Sequence, residues 1–115
     1  MQRDLRAYLS DIERAGADIV DFTSSSSLEQ YASNKMLRMA VEREFSIIGE
    51  AIAPARLTFP EIMDKISSAQ LIVGFRNRLV HGYETIRDET VWEAIQKSLP
   101  ILLADVSRLL DQLGR

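Results

Sequence analysis

Apolar residues recur every three or four positions along most of this chain, and this spacing constrains the fold more than any other feature of the sequence. An α-helix turns about 100° per residue, so the spacing gathers apolar side chains on one helical face. It is clear from Leu5 to Phe22, from Met36 to Ile52 and from Val91 to Leu113. No segment is a candidate strand. The pattern therefore predicts an all-α protein.

Residues that begin or end helices separate these segments. The run TSSSS at 23–27 predicts a turn, and Ser27 with Gln30 three residues later fits a capping box for the next helix. The long second helix contains no proline before Pro54, where we expect it to end. The segment from Pro54 to Pro60 is then a connector, in which Pro60 begins a short turn of helix.

Two further helices complete the predicted fold. The third has Ile72, Phe75 and Leu79 on its buried face and ends near Gly82, a residue suited to the left-handed conformation that closes a helix. Asp88 caps the last helix, and Pro100 kinks it. Four main helices and a short connector helix predict an antiparallel up-and-down bundle. The length of 115 residues fits a single domain, residues 1–115.

Composition excludes several classes of protein. Hydrophobic residues make up 46% of the chain, yet no apolar run approaches the ~20 residues of a membrane span. The start, MQRDLRAYLSDIERAG, lacks the apolar stretch of a signal peptide, so we expect a cytoplasmic protein. One histidine and no cysteine make a dedicated metal site a poor hypothesis. With a net charge of -3, contact with nucleic acid needs a local basic patch, expected around Arg76, Arg78 and Arg87.

The stretch FRNRLVHGY at 75–83 contains the only histidine of the chain, His81. With the third helix buried through its apolar stripe, His81 and Asn77 point away from the core and Arg76 lies on the flank. An imidazole beside a guanidinium suits phosphodiester chemistry, because the one moves protons near neutral pH and the other holds a phosphate. The alternative is a histidine cation that only interacts with the dipole at a helix end.

Other residues of this stretch also allow two interpretations. Val73 and Val80 fall on the same outward face as His81, which suits a dimer interface, although single exposed valines are common. A two-fold dimer would bring in a second His81, so that one imidazole acts as base and the other as acid. Arg78 is either structural or steers phosphate. Tyr83 is a packing lid, a base-stacking surface or a modification site.

These residues resemble a known family. Arg76, Asn77 and His81 match the Arg-polar-x-His signature of HEPN domains, and Tyr83 extends it to the R-x4-H-x-Y form of HepT-like toxins. VEREFSIIGEAI at 41–52 and VWEAI followed by LP in the last helix are similar to the same family in the same order. The resemblance covers nearly the whole chain.

The resemblance implies a HEPN-like all-helical homodimer that acts as a metal-independent endoribonuclease on tRNA or mRNA, with no cofactor. Arg76 and His81 would be the catalytic pair, with Asn77 and Arg78 in supporting or RNA-binding roles. A minimal nucleotidyltransferase antitoxin would inactivate this toxin by transferring AMP to Tyr83. A non-catalytic helical partner of such a nucleotidyltransferase is the alternative.

Overall fold

The computed structural model describes residues 3–81 and 86–115, apart from the side chains of residues 76 and 78–81. All of its regular elements are helices, and the prediction of an all-α fold is confirmed over this part of the chain. The helices are α1 (Leu5–Thr23), α2 (Leu28–Ser33), α3 (Lys35–Thr58), α4 (Pro60–Met63), α5 (Ala69–His81), α6 (Asp88–Glu93) and α7 (Leu99–Gln112). A π-helical turn, Ala94–Ser98, joins α6 directly to α7.

Local side-chain hydrogen bonds begin the first three helices. At α1, the Asp4 carboxylate accepts a hydrogen bond from the Arg6 N–H, 2.9 Å away. The predicted capping box at α2 is confirmed, because the Ser27 N–H donates to Gln30 Oε1 at 2.8 Å and the Gln30 N–H donates to Ser27 Oγ at 3.2 Å. Asn34 then caps α3 through the Leu37 N–H. Each cap satisfies a backbone donor that the first helical turn leaves unpaired.

The expected end of the second main helix at Pro54 was wrong, since α3 continues through Pro54 to Thr58. Proline removes the N–H that would donate to the carbonyl of Glu50. Glu50 is exposed, so water can reach that carbonyl, while Ala51, Ile52 and Ala55 are buried and hold the helix on the core. The connector is therefore short, and the predicted turn of helix from Pro60 follows as α4.

The last helical run also differs from its prediction at two points. Arg87 occupies the N-cap position of α6 and Asp88 is the first helical residue, where its charge still favours the helix dipole. The irregularity expected at Pro100 takes the form of the π-helical turn just before it. There the N–H of Leu99 donates to the carbonyl of Ala94, five residues back.

Contacts between the long helices establish antiparallel packing. The rings of Phe45 in α3 and Phe75 in α5 meet edge to face, with centroids 5.6 Å apart. Arg56, near the end of α3, shares a cleft with Gln70, near the start of α5, so the two helices run in opposite directions. Helix α1 lies against both α3 and α7. The predicted antiparallel bundle is thereby confirmed for the described helices.

The core is contributed by every helix of the described chain. One residue of the predicted α1 stripe, Phe22, is instead exposed, and the next residue, Thr23, takes the buried position in the last turn of the helix. The largest fully buried side chains are Leu9, Ile12, Ile19, Tyr31, Val41, Phe45, Ile48, Ile52, Met63, Ile72, Leu99 and Leu102. The bundle therefore has one continuous hydrophobic interior.

Two carboxyl groups meet in the groove between α1 and α3. The side chains of Asp18 and Glu44 are hydrogen-bonded there, beside Asp11 and Arg14. Burial, the hydrogen bond with Asp18 and the charge of Asp18 together raise the pKa of Glu44 to about 7, against the opposite effect of Arg43. The pair therefore holds a shared proton below neutral pH.

Replacement of Glu44 by glutamine should change how stability depends on pH. The folded protein keeps a proton that the unfolded chain, with an ordinary value of 4.5, releases. The wild-type protein is thus fully stable below this value and loses stability as the pH rises to about 7. Glu44→Gln cannot lose that proton, so we expect urea unfolding to give equal stability at pH 4.5 and about 1 kcal/mol more than wild type at pH 8.

The matched control is Glu50→Gln, which neutralises an exposed carboxyl group on the same helix. Its unfolding free energy should follow the wild-type pH dependence. If Glu44→Gln also followed the wild-type curve, the shared proton would not contribute to the packing of α1 on α3.

Candidate functional site

The start of α5 is tied to α7 by the half-buried carboxylate of Asp105. Both the N–H and the hydroxyl of Ser67 donate to Asp105 Oδ2 at 3.2 Å, and Arg108 donates to Asp105 Oδ1 at 3.0 Å. Burial acts to raise the pKa of Asp105, but the hydrogen bonds from Ser67 and Arg108 outweigh it and the pKa is lowered. The carboxylate is therefore charged at neutral pH, and it fixes where α5 begins.

The rotation of α5 about its axis is set by its apolar residues. Ala69, Ile72 and Phe75 are buried, and the ring contact of Phe75 with Phe45 holds this face against α3. Gln70 and Asn77 are exposed on the opposite side of the helix. Gly74 lies between them, and a Cβ atom added there would meet no other heavy atom within 4 Å. The outward face of α5 is thus open along its middle turns.

The part of the motif from Arg76 to His81 lies on this helix. Arg76, Asn77, Arg78 and Val80 lie within α5, and His81 is its last residue. Asn77 is exposed, as predicted. The side chains of Arg76, Arg78, Val80 and His81 lie outside the described part of the structure. The catalytic pairing of Arg76 with His81 therefore stays a prediction.

Two other predictions for this stretch fall on residues 82–85, which are outside the described residues. They are the closure of α5 by Gly82 and the exposure and modification of Tyr83. The described part of α5 extends to His81. By sequence, Tyr83 follows His81 by two positions, so any group attached to it lies near the end of α5.

Val73 is less exposed than its predicted place on the outward face requires. Its side chain is half-buried and packs against the hydrophobic core of its own chain. The reason is its angular position, about 100° from the buried Ile72, which puts it on the flank of the helix and not on its back. The dimer interface predicted at Val73 and Val80 stays a prediction.

A polar cluster that the sequence interpretation missed lies where α2, α3 and α6 meet. It contains Tyr31, Arg38, Glu42 and Asp88. Burial raises the pKa of the Tyr31 phenol, and the charges of Glu42 and Asp88 raise it further. Burial also raises the pKa of Glu42, opposed by Arg38 and reinforced by Asp88. Because the cluster is built from three separate elements, helical periodicity contains no signal for it.

The expected basic patch is only partly described. Arg87 is highly exposed and forms an ion pair with Glu89 at 3.5 Å, so the carboxylate of Glu89 partly offsets its positive charge. No helix of the described chain combines the length and the apolar character that crossing a membrane requires. Among the described residues, no group of three or more histidine, cysteine or acidic side chains is arranged to hold a metal ion.

The chain is similar to proteins of a known family. The profile of the family described as "Ribonuclease HepT-like" matches residues 62–109, from the end of α4 through most of α7, including all of α5. The protein "Putative RNase MJ1380" of Methanocaldococcus jannaschii is 32% identical over 105 residues, which are 91% of this chain and 95% of the relative.

Two further relatives extend over similar lengths. "Putative RNase MJ0125" of the same organism is 30% identical over 112 residues, covering 97% of this chain and 96% of the relative. "Probable ribonuclease HepT" of Thermococcus cleftensis is 28% identical over 109 residues, covering 95% of this chain and 98% of the relative. No solved structure matches the chain.

Proposed function

The chain belongs to the HepT-like ribonuclease family, and from this membership we propose that it is an endoribonuclease whose active site lies on the carboxyl-terminal half of α5. The observation that carries the proposal is the position of His81. The only histidine of the chain is the last described residue of α5. The start of this helix is fixed by the hydrogen bond to Asp105, and the contact of Phe75 with Phe45 fixes which face of the helix points to the core. Rigid support of this kind suits a catalytic group.

In the proposed reaction, His81 and Arg76 act on the phosphodiester of RNA. An imidazole takes the proton of the 2'-hydroxyl, whose oxygen attacks phosphorus and forms a 2',3'-cyclic phosphate. The bond from phosphorus to the 5'-oxygen breaks, and an acid protonates the leaving oxygen. Arg76 holds the phosphate oxygens as their charge increases. Asn77 and Arg78 support substrate binding from adjacent positions.

The need for both a base and an acid favours a homodimer, because each chain has one histidine. A two-fold axis that pairs the outward faces of two α5 helices brings the two His81 residues to one cleft. The open space beside Gly74 and the exposed side chains of Gln70 and Asn77 leave room for a second helix on this face. This chemistry requires no metal ion from the protein.

We expect purified protein to cleave total RNA and tRNA in the presence of EDTA, and His81→Ala and Arg76→Ala to lose this activity. Removal of a general acid-base or of a phosphate-holding charge typically lowers rates by about 10²–10⁴-fold. The matched control is Lys97→Ala, which removes an exposed cation outside the motif. Equal cleavage by His81→Ala would refute the assignment, and no cleavage by wild type would favour a non-catalytic binding partner.

The dimer is tested by Gly74→Leu. Within one chain this side chain meets nothing at the Cβ position, so the fold should be retained and the thermal midpoint should not fall. On a face covered by a second α5 helix, the added volume should shift sedimentation towards monomer and lower cleavage with it. Leu71→Ala, a change on another side of the same helix, is the control. Unchanged sedimentation of Gly74→Leu would place the interface elsewhere.

The proposed function also includes control by a partner enzyme. A minimal nucleotidyltransferase would direct the Tyr83 phenol oxygen onto the α-phosphorus of ATP, so that an oxygen–phosphorus bond forms and pyrophosphate leaves. The adenylyl group brings bulk and negative charge two positions from His81. Both effects oppose the approach of an RNA phosphate. The protein would then be the toxin of a toxin–antitoxin pair.

Incubation with ATP and a nucleotidyltransferase encoded beside this chain should add adenylyl groups to Tyr83 and abolish cleavage. Intact-mass measurement and peptide mapping identify the modified residue. Tyr83→Phe should stay unmodified, whereas Tyr8→Phe, at a half-exposed tyrosine in α1, should be modified like wild type. Labelling of Tyr83→Phe to the same extent would exclude Tyr83 as the acceptor.

A further inference from the structure

Four exposed residues near the start of α3 form a surface that neither the motif nor the fold explains. They are Lys35, Met36, Met39 and Arg43, which we call the α3 patch. Met36 is 78% exposed and Met39 is 60% exposed. These four are the exposed positions between 35 and 43. The acidic residue of this segment, Glu42, is half-buried. The patch therefore presents two positive charges and two large apolar side chains on a chain whose net charge is -3.

The α3 patch lies at the same end of the bundle as the end of α5. Phe45 and Phe75 contact each other, and their helices run antiparallel. Met39 precedes Phe45 by six residues, and His81 follows Phe75 by six residues. Six residues of helix rise about 9 Å, so the backbones of Met39 and His81 are at the same level. Around the axis of α3, Lys35 lies about 80° and Met39 about 120° from Phe45, the residue that contacts α5.

We propose that the α3 patch binds single-stranded RNA and extends the substrate-binding surface from the end of α5. The inference rests on the proposed ribonuclease function and names the form of RNA that the site accepts. Lys35 and Arg43 pair with phosphates, and the two methionine side chains lie against the flat faces of unpaired bases.

Charge complementarity favours RNA over a protein occupant. The exposed charges of the patch are both positive, and they lie about 12 Å apart along α3 with the methionines between them. An RNA strand presents regular negative charges and apolar bases at once. In a base-paired helix the faces of the bases are stacked on one another and cannot meet a methionine. The patch therefore distinguishes a single strand from a duplex.

The test measures binding of a fluorescent, unpaired oligoribonucleotide to His81→Ala protein, which keeps the patch but cannot cleave. Lys35→Ala/Arg43→Ala should weaken binding and lower the slope of log affinity against log salt by about 0.7 for each lost phosphate contact. Met36→Ser/Met39→Ser should weaken binding about tenfold with an unchanged slope, because no charge is removed. A fully paired duplex of the same sequence should bind the methionine variant and its parent equally, because its stacked bases cannot meet the methionines.

Matched controls come from elsewhere on the surface. Lys65→Ala/Lys97→Ala removes the same charge from exposed lysines, and Leu57→Ser removes a side chain that is 87% exposed near the other end of α3. Both should bind RNA like the His81→Ala parent. If the patch variants bind RNA like these controls, the inference is overturned, while the ribonuclease function is judged separately by the cleavage activity of the wild-type protein.

Other outcomes separate the two proposals. If wild-type protein does not cleave and the His81→Ala protein does not bind RNA, both the function and the inference fail. If the patch variants bind RNA normally but sediment as monomers, the surface is an interface between two copies of this chain, and the RNA assignment is overturned.

Discussion

The contact between Phe45 and Phe75 is the interaction on which the rest of this structure depends. It joins α3, the longest helix, to α5, the helix that carries the motif, and an edge-to-face ring pair allows little rotation of either helix. Through it, the hydrophobic core decides which residues of α5 face outward. With the Ser67–Asp105 hydrogen bonds at the start of α5, it fixes both the rotation and the axial position of the helix.

Electrostatics at the motif end of the bundle differ from those of the whole molecule. The chain is acidic overall, yet the two exposed charges at the start of α3, on Lys35 and Arg43, are positive, and the nearby carboxyl of Glu42 is half-buried with a raised pKa. A local surface suited to anions is compatible with an acidic isoelectric point, because screening by salt limits each charge to its neighbourhood.

Sequence patterns predicted the helices well where the pattern is a property of one helix. The period of apolar residues, the capping box of Ser27 and Gln30, and the turn of helix at Pro60 all depend on residues close in the chain. The end expected at Pro54 was wrong, because a proline ends a helix only where the lost hydrogen bond is not offset. Here Ala55 and its neighbours are held on the core by other helices, which the local sequence does not reveal. Val73 was placed too far outward for a different reason, since its angle of about 100° from Ile72 puts it on the flank of α5.

By itself, the sequence determined the all-helical class, the approximate helices and the family, and it located the motif on a single helix. These properties follow from local periodicity and from short residue patterns, which do not depend on the contacts between helices. Only the tertiary structure decided that α3 continues past Pro54, that Tyr31, Glu42 and Asp88 share one cluster, and that the α3 patch is level with His81. Each of these depends on contacts between helices distant in the chain, and such contacts are fixed by the packing of the core.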